Sequence, residues 1–157
     1  DPGMYSLPRP MLRRNQHPQD DDFYDFSFSG LKTATATLAA ELEEKGLLDE
    51  HRAHVAAAFQ DAVVDVLVSK TLRAVGQTGC HRVLLGGGVS ANRPLRKALQ
   101  HRLGSRGRVF AASPRLSVDN GAMVARAARF RLDRGETAPP EVSADANLAF
   151  PNLSRRQ

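Results

Sequence analysis

From Asp49 to about Val75 the apolar residues Val55, Phe59, Val63, Val64, Leu67, Val68, Leu72 and Val75 recur at intervals of three and four, with polar residues between them. That spacing lays one apolar stripe along a helix and predicts a long amphipathic helix here. Upstream, the Ala- and Thr-rich run from Leu31 to Lys45 reads as a second helix, ended by Gly46. Between the Pro-rich, aperiodic residues 1–25 and that helix, Phe26-Ser27-Phe28-Ser29 alternates apolar and small polar positions, the pattern of a short strand.

After Gly76 and Gly79 the period changes. Arg82-Val83-Leu84-Leu85 is a short apolar run bounded by glycines, as expected of a buried parallel strand, and it leads directly into Gly86-Gly87-Gly88. Ser90 or Asn92 can cap a further helix to about Leu103, with Pro94 in its first turn. A second strand over Arg108 to Ala112, a loop around Pro114 and a last long helix from about Val118 to Leu132, stopped at Gly135, complete the pattern. The order is α/β. The expected organisation is an irregular lead-in over 1–25, an α/β nucleotide-binding lobe over 26–135 and an irregular tail over 136–157, which contains Pro139, Pro140 and Pro151.

Composition adds limits. With 157 residues, 41% hydrophobic and 25% charged, the chain has apolar surface for one ordinary core or one lobe of two. No run approaches the length of a membrane span and no secretory pattern opens the chain, so a cytosolic location and no membrane partner are expected. The chain starts at Asp1 in irregular sequence, as a piece of a longer protein would. The single cysteine, Cys80, can form neither an internal disulfide nor a cysteine-based metal site, and reads as a small buried residue before a strand.

The net charge of +5 conceals a polarity. From Gln19 to Asp65 eleven acidic residues face three basic ones, whereas from Arg93 to Arg134 eleven basic residues face two acidic ones. The basic half suits a phosphate-bearing partner such as RNA, although Arg126, Arg129, Arg131 and Arg134 serve equally as the wet side of a helix.

Three segments carry candidate chemistry. In Val83 to Asn92 a strand, three glycines and a capped helix start follow one another. Glycines let a ligand approach the backbone, and the helix start offers unpaired N–H groups and a positive dipole end. Gly86, Gly87, Gly88 and Ser90 are therefore candidate nucleotide contacts, and Asn92 can both donate and accept; the competing reading is a plain tight turn. In Ser117 to Met123, Asp119 stands at a helix start as either a dipole partner or a metal ligand needing others from elsewhere. In Asp25 to Thr33, Lys32 can meet a phosphate and Ser29 can cap a helix, or two aromatics simply anchor that cap. His51 and His54 lack the spacing and central Glu of a zinc-protease helix, and with His17, His81 and His101 are expected to face solvent.

Five segments in this order resemble the tRNA N6-adenosine threonylcarbamoyltransferase family, formerly described as an O-sialoglycoprotein endopeptidase. They are Leu7-Pro8-Arg9-Pro10-Met11, Asp25 to Thr33, Phe59-Gln60-Asp61-Ala62-Val63-Val64, Gly87-Gly88-Val89-Ser90-Ala91-Asn92 and Asp119-Asn120-Gly121-Ala122-Met123. The resemblance implies the second lobe of an actin-like ATPase fold of the sugar-kinase, Hsp70 and ribonuclease H kind. It also implies transfer of a threonylcarbamoyl group from threonylcarbamoyl-AMP to N6 of the adenosine beside the anticodon in tRNAs reading codons that start with A. Carried over by motif, Asn92 contacts the adenylate, Gly86 to Gly88 pack along the nucleoside, and Asp119 is one ligand of an iron or zinc ion.

The same resemblance implies a paralogous partner subunit and a small ATPase as helpers in a bacterial member. The family's paired metal-binding histidines and the first lobe's phosphate-binding glycines are absent from this chain, and the Arg13 to Asp22 segment is longer and more polar than the family's loop. The chain alone is thus expected to be catalytically silent. A phosphotransferase of the same fold, of the sugar or acetate kinase type, and a non-catalytic paralogous partner are the alternatives. No nucleophile and base pair supports a protease.

Overall fold

The long apolar stripe forms one helix, α2 (Leu48–Thr78), 31 residues in length, and two hydrophobic clusters are built against it. The computed structural model describes residues 1–143. These form two compact units, one from Asp1 to Val118 and a second that begins at Asp119.

In the first unit, α1 (Ser29–Glu44) precedes α2 and packs along its N-terminal half. Leu31 of α1, Ala58 and Ala62 of α2 and Leu7 of the lead-in are buried together, with Tyr5, Phe28 and Phe59 around them. The end of α1 is set by Gly46, whose φ of +70° only glycine adopts freely. Its N–H reaches the Glu43 carbonyl and the Leu47 N–H reaches Leu42, the paired bonds that close a helix through a left-handed residue.

The C-terminal half of α2 packs on α3 (Arg93–Leu103). Val68 and Val75 meet Leu95, Leu99 and Leu103, and Val83, Leu85 and Val109 close this second core. The strands β1 (Arg82–Leu85) and β2 (Arg108–Ala111) pair in parallel, with Leu84 opposite Phe110 and Leu85 opposite Ala111. Helix α3 lies between them in sequence, so the carboxyl ends of both strands fall on the same side.

Several expectations change. Phe26 to Phe28 is not a strand: no neighbour pairs with it, and the rings of Phe26 and Phe28 tilt together at 5.5 Å. Ser29 is the first residue of α1 rather than its cap, and its N–H is received by the Ser27 hydroxyl at 3.3 Å. The strand β1 is covered on one face only: Val83 and Leu85 point to the core, whereas Leu84 is 80% exposed, because no second layer of the described chain packs on that face. The region around Pro114 is a one-turn helix, α4 (Pro114–Ser117). In the second unit the last helix, α5 (Gly121–Leu132), starts three residues later than its sequence pattern predicts. Cys80 is exposed, since it lies in the turn after α2 and not under the sheet.

Residues 1–25 have no helix or strand, as expected, yet they are fastened to α2. Leu7 and Phe23 are buried. The Arg9 guanidinium reaches Asp61 at 2.6 Å, Asp65 at 3.3 Å and the Leu7 carbonyl at 2.7 Å. Lys70, itself buried, donates to the carbonyls of Asp22 at 2.7 Å and Phe23 at 2.9 Å. Desolvation, helped by the neighbouring Arg73, holds its pKa below the ordinary lysine value. His51 and His54 are half-buried rather than solvent-facing, because the lead-in covers them; Tyr5 bonds His51 Nδ1 at 2.7 Å. In the tail, Glu136 to Ser143 carries no helix or strand, with Pro139 and Pro140 in it, while Pro151 lies outside the described residues.

Candidate functional site

The glycine loop leaves β1 at its carboxyl end. Gly86, Gly87, Gly88 and Val89 are all exposed, and a Cβ built on any of the three glycines would meet nothing within 4 Å. The space in front of this backbone is open. Gly87, at φ +77° and ψ 172°, has a conformation reserved for glycine. A single 3-10 turn, Gly88–Ala91, then carries the chain to α3.

Asn92, not Ser90, caps α3: its Oδ1 accepts the Leu95 N–H at 2.9 Å, with Pro94 in the first turn where its missing N–H costs nothing. The cap occupies the acceptor. What Asn92 retains for a ligand is its side-chain NH2, a donor. Ser90 is turned inward and is only 2% exposed; its hydroxyl donates to Ser117 Oγ at 3.1 Å. Ser117 in turn donates to the Ser113 carbonyl at 3.0 Å.

Arg96 completes this clamp, and no motif pointed to it. From the first turn of α3 its Nε donates to the Ser90 carbonyl and its Nη2 to the Ala112 carbonyl at 3.1 Å. One guanidinium thereby joins the loop after β1 to the loop after β2. In the sequence Arg96 was one more member of a basic stretch, since only tertiary pairing tells which arginine is half-buried.

In the second unit, Asp119 precedes the cap of α5 rather than lying in its first turn. The cap is Asn120, whose Oδ1 accepts the Met123 N–H at 3.0 Å. Asp119 is exposed, and among the described residues its carboxylate has no hydrogen bond or ion pair. Among the described residues no three His, Cys, Asp or Glu side chains stand close enough to hold an ion. The carboxylate therefore fits a metal as a single oxygen donor, and a complete site needs ligands from beyond these residues.

The arginines at the C-terminal end of α5 and just beyond it are engaged. Arg129 pairs with Asp133 at 2.7 Å, Arg131 with Glu136 at 3.1 Å and Arg134 with Glu136 at 3.0 Å. These are exposed pairs, worth little individually. Lys32 is exposed on α1 away from the glycine loop, along a groove it shares with Ala36, Val55 and Phe59.

The profile of the tRNA N6-adenosine threonylcarbamoyltransferase family matches residues 2–126, four fifths of the chain and all three candidate segments. The chain belongs to that family. A curated relative from Gemmatimonas aurantiaca, bearing the family's name, is 51% identical over 146 residues, which cover 92% of this chain and 41% of that protein. One from Methylibium petroleiphilum, with the same name, is 44% identical over 153 residues, covering 96% and 42%. This threonylcarbamoyltransferase-family chain thus spans about two fifths of the length of the curated relatives it matches. Among its described residues no helix is long and apolar enough to cross a membrane.

Proposed function

We propose that this chain is part of a tRNA-modifying acyltransferase that moves the threonylcarbamoyl group of threonylcarbamoyl-AMP to N6 of the adenosine beside the anticodon. The observation that carries the reading is the 51% identity, over nearly all of this chain, to a protein named as that transferase. The open glycine loop is consistent with it. In this reading the chain supplies most of the second lobe of an actin-like fold, completed by sequence outside it.

The backbone of Gly86 to Gly88 lies along the nucleoside of the adenylate, and the Asn92 NH2 donates to it while Oδ1 stays on the Leu95 N–H. Ser90 acts as a positioning residue, tying the loop to α4 through Ser117. Asp119 supplies one oxygen ligand to an iron or zinc ion whose other ligands lie outside the chain. Such an ion, when bound, offers Lewis-acid stabilisation of the charge that develops as the amine attacks. A paralogous subunit and a small ATPase assist in the cytoplasm.

The test is threonylcarbamoyladenosine formation on unmodified tRNA by the full-length protein with its helper proteins. Asn92→Ala confounds two effects, because losing the cap costs about 1 kcal/mol of stability. Asn92→Asp keeps the capping oxygen and removes the NH2 donor; it is expected to unfold with the wild type yet lose at least tenfold in kcat/KM. Asp119→Asn and Gly88→Ala should behave likewise, since neither position is packed inside the chain. Full activity in all three variants would reject this site.

A further inference from the structure

Away from the glycine loop, an open cleft of about 760 Å³ is lined by five arginines drawn from three parts of the first unit. Arg9, Arg13 and Arg14 come from the lead-in, Arg73 from α2 and Arg102 from α3. Two have their charge neutralised: Arg9 by Asp61 and Asp65, and Arg13 by Asp22 at 3.0 Å. The other three have not. Arg73 donates only to uncharged acceptors, namely Gln16 Oε1 at 2.6 Å, the Phe23 carbonyl and the Arg13 carbonyl, both at 3.2 Å. Arg14 and Arg102 are exposed, with no hydrogen bond or ion pair among the described residues.

Three uncompensated guanidinium groups around one concavity repel one another and favour a multivalent anion between them. Arginine presents donors in a planar fork that matches phosphate oxygens, and it sheds water more readily than lysine does. The cleft is wide and open, unlike the enclosed pockets that hold small molecules. A strand that passes through it fits better than a compact ligand.

We propose that this cleft binds phosphodiester groups of an RNA backbone, and so forms a docking surface for the tRNA, with no residue of the glycine loop in its lining. The proposal rests on the transferase reading above, which makes tRNA the substrate. Contacts of this kind set affinity and orientation without reading bases. Arg9 and Arg13, already paired with carboxylates, hold the cleft's shape, while Arg14, Arg73 and Arg102 provide the charge.

Binding of labelled unmodified tRNA to the full-length protein, measured across a salt series, tests this with Arg14→Ala/Arg102→Ala. Both side chains are exposed and make no bond in the chain, so unfolding should coincide with the wild type. The expected result is a Kd raised on the order of tenfold at low salt, and a slope of log Kd against log salt shallower by about 1.5, as two lost phosphate contacts require. Wild-type binding with the same Kd and slope in the variant would overturn the cleft alone; failure of wild type to bind tRNA at any salt would overturn the transferase reading with it. Two further arms identify another ligand. If the variant loses stabilisation by inorganic phosphate, or binding of a polyglutamate peptide, while tRNA affinity is unchanged, the RNA assignment is wrong.

Discussion

The hydroxyl of Ser90, buried at the exit of the glycine loop, donates at 3.1 Å to Ser117, 27 residues away in α4. Because Ser117 passes its own proton to the Ser113 carbonyl, the two hydroxyls form a one-way relay with no donor left over. The loops that follow the two parallel strands are locked side by side, and Arg96 reinforces the lock from α3. The lock holds the exposed glycine backbone in one arrangement, as the proposed nucleoside contact requires.

Ser117→Ala strands the buried Ser90 hydroxyl, and a loss of about 1 to 3 kcal/mol follows from leaving such a group unsatisfied. Removing both hydroxyls takes away the stranded donor as well. Ser90→Ala/Ser117→Ala is therefore expected to cost less than the sum of its single variants in urea unfolding. Strict additivity would mean that the two side chains are not coupled.

Two glycine to alanine changes should move stability in opposite directions. At Gly107, just before β2, a Cβ would lie 2.7 Å from the His81 carbonyl oxygen and 3.1 Å from Leu103 Cδ2. The backbone on one side cannot yield cheaply, so Gly107→Ala should destabilise by about 1 to 3 kcal/mol. Gly76 lies inside α2 with nothing near its missing side chain, and there alanine's better helix propensity should stabilise by up to about 1 kcal/mol. Paired denaturation midpoints check both signs.

Acid should loosen the lead-in. A hydrogen bond from Gln16, together with Arg13 and Lys70, holds the Asp22 carboxyl below its ordinary value of 3.8, against a smaller opposing effect of burial. A group whose pKa is lowered on folding stabilises above its unfolded value and loses that contribution as pH falls through its folded one. The difference in stability between wild type and Asp22→Asn should thus stay constant above about pH 5 and shrink below 3.8. A difference that stays constant throughout would show that the carboxylate contributes nothing.

Local periodicity was enough to find α2, the place of β1 and β2 and the glycine stop after α1, because each depends on neighbours within a few residues. The five collinear segments were likewise legible, and with them the family. Arg9 and Asp61 lay in two of those segments, but only folding showed that they touch, at 2.6 Å. The four-residue alternation from Phe26 to Ser29 misled, since a strand needs a partner that its own sequence does not contain.

What the sequence by itself determined was which residues can form helices, strands and a bare-backbone loop. The tertiary structure decided what each polar side chain is free to do. Asn92 was a candidate donor and acceptor until the Leu95 N–H took its oxygen, and Ser90 was a candidate contact until Ser117 drew it inward. Among so many arginines, pairing with carboxylates separated Arg9 and Arg13 from Arg14, Arg73 and Arg102. A side chain's chemistry is intrinsic to its residue, but its availability depends on partners brought close from far along the chain, and these only the fold can supply.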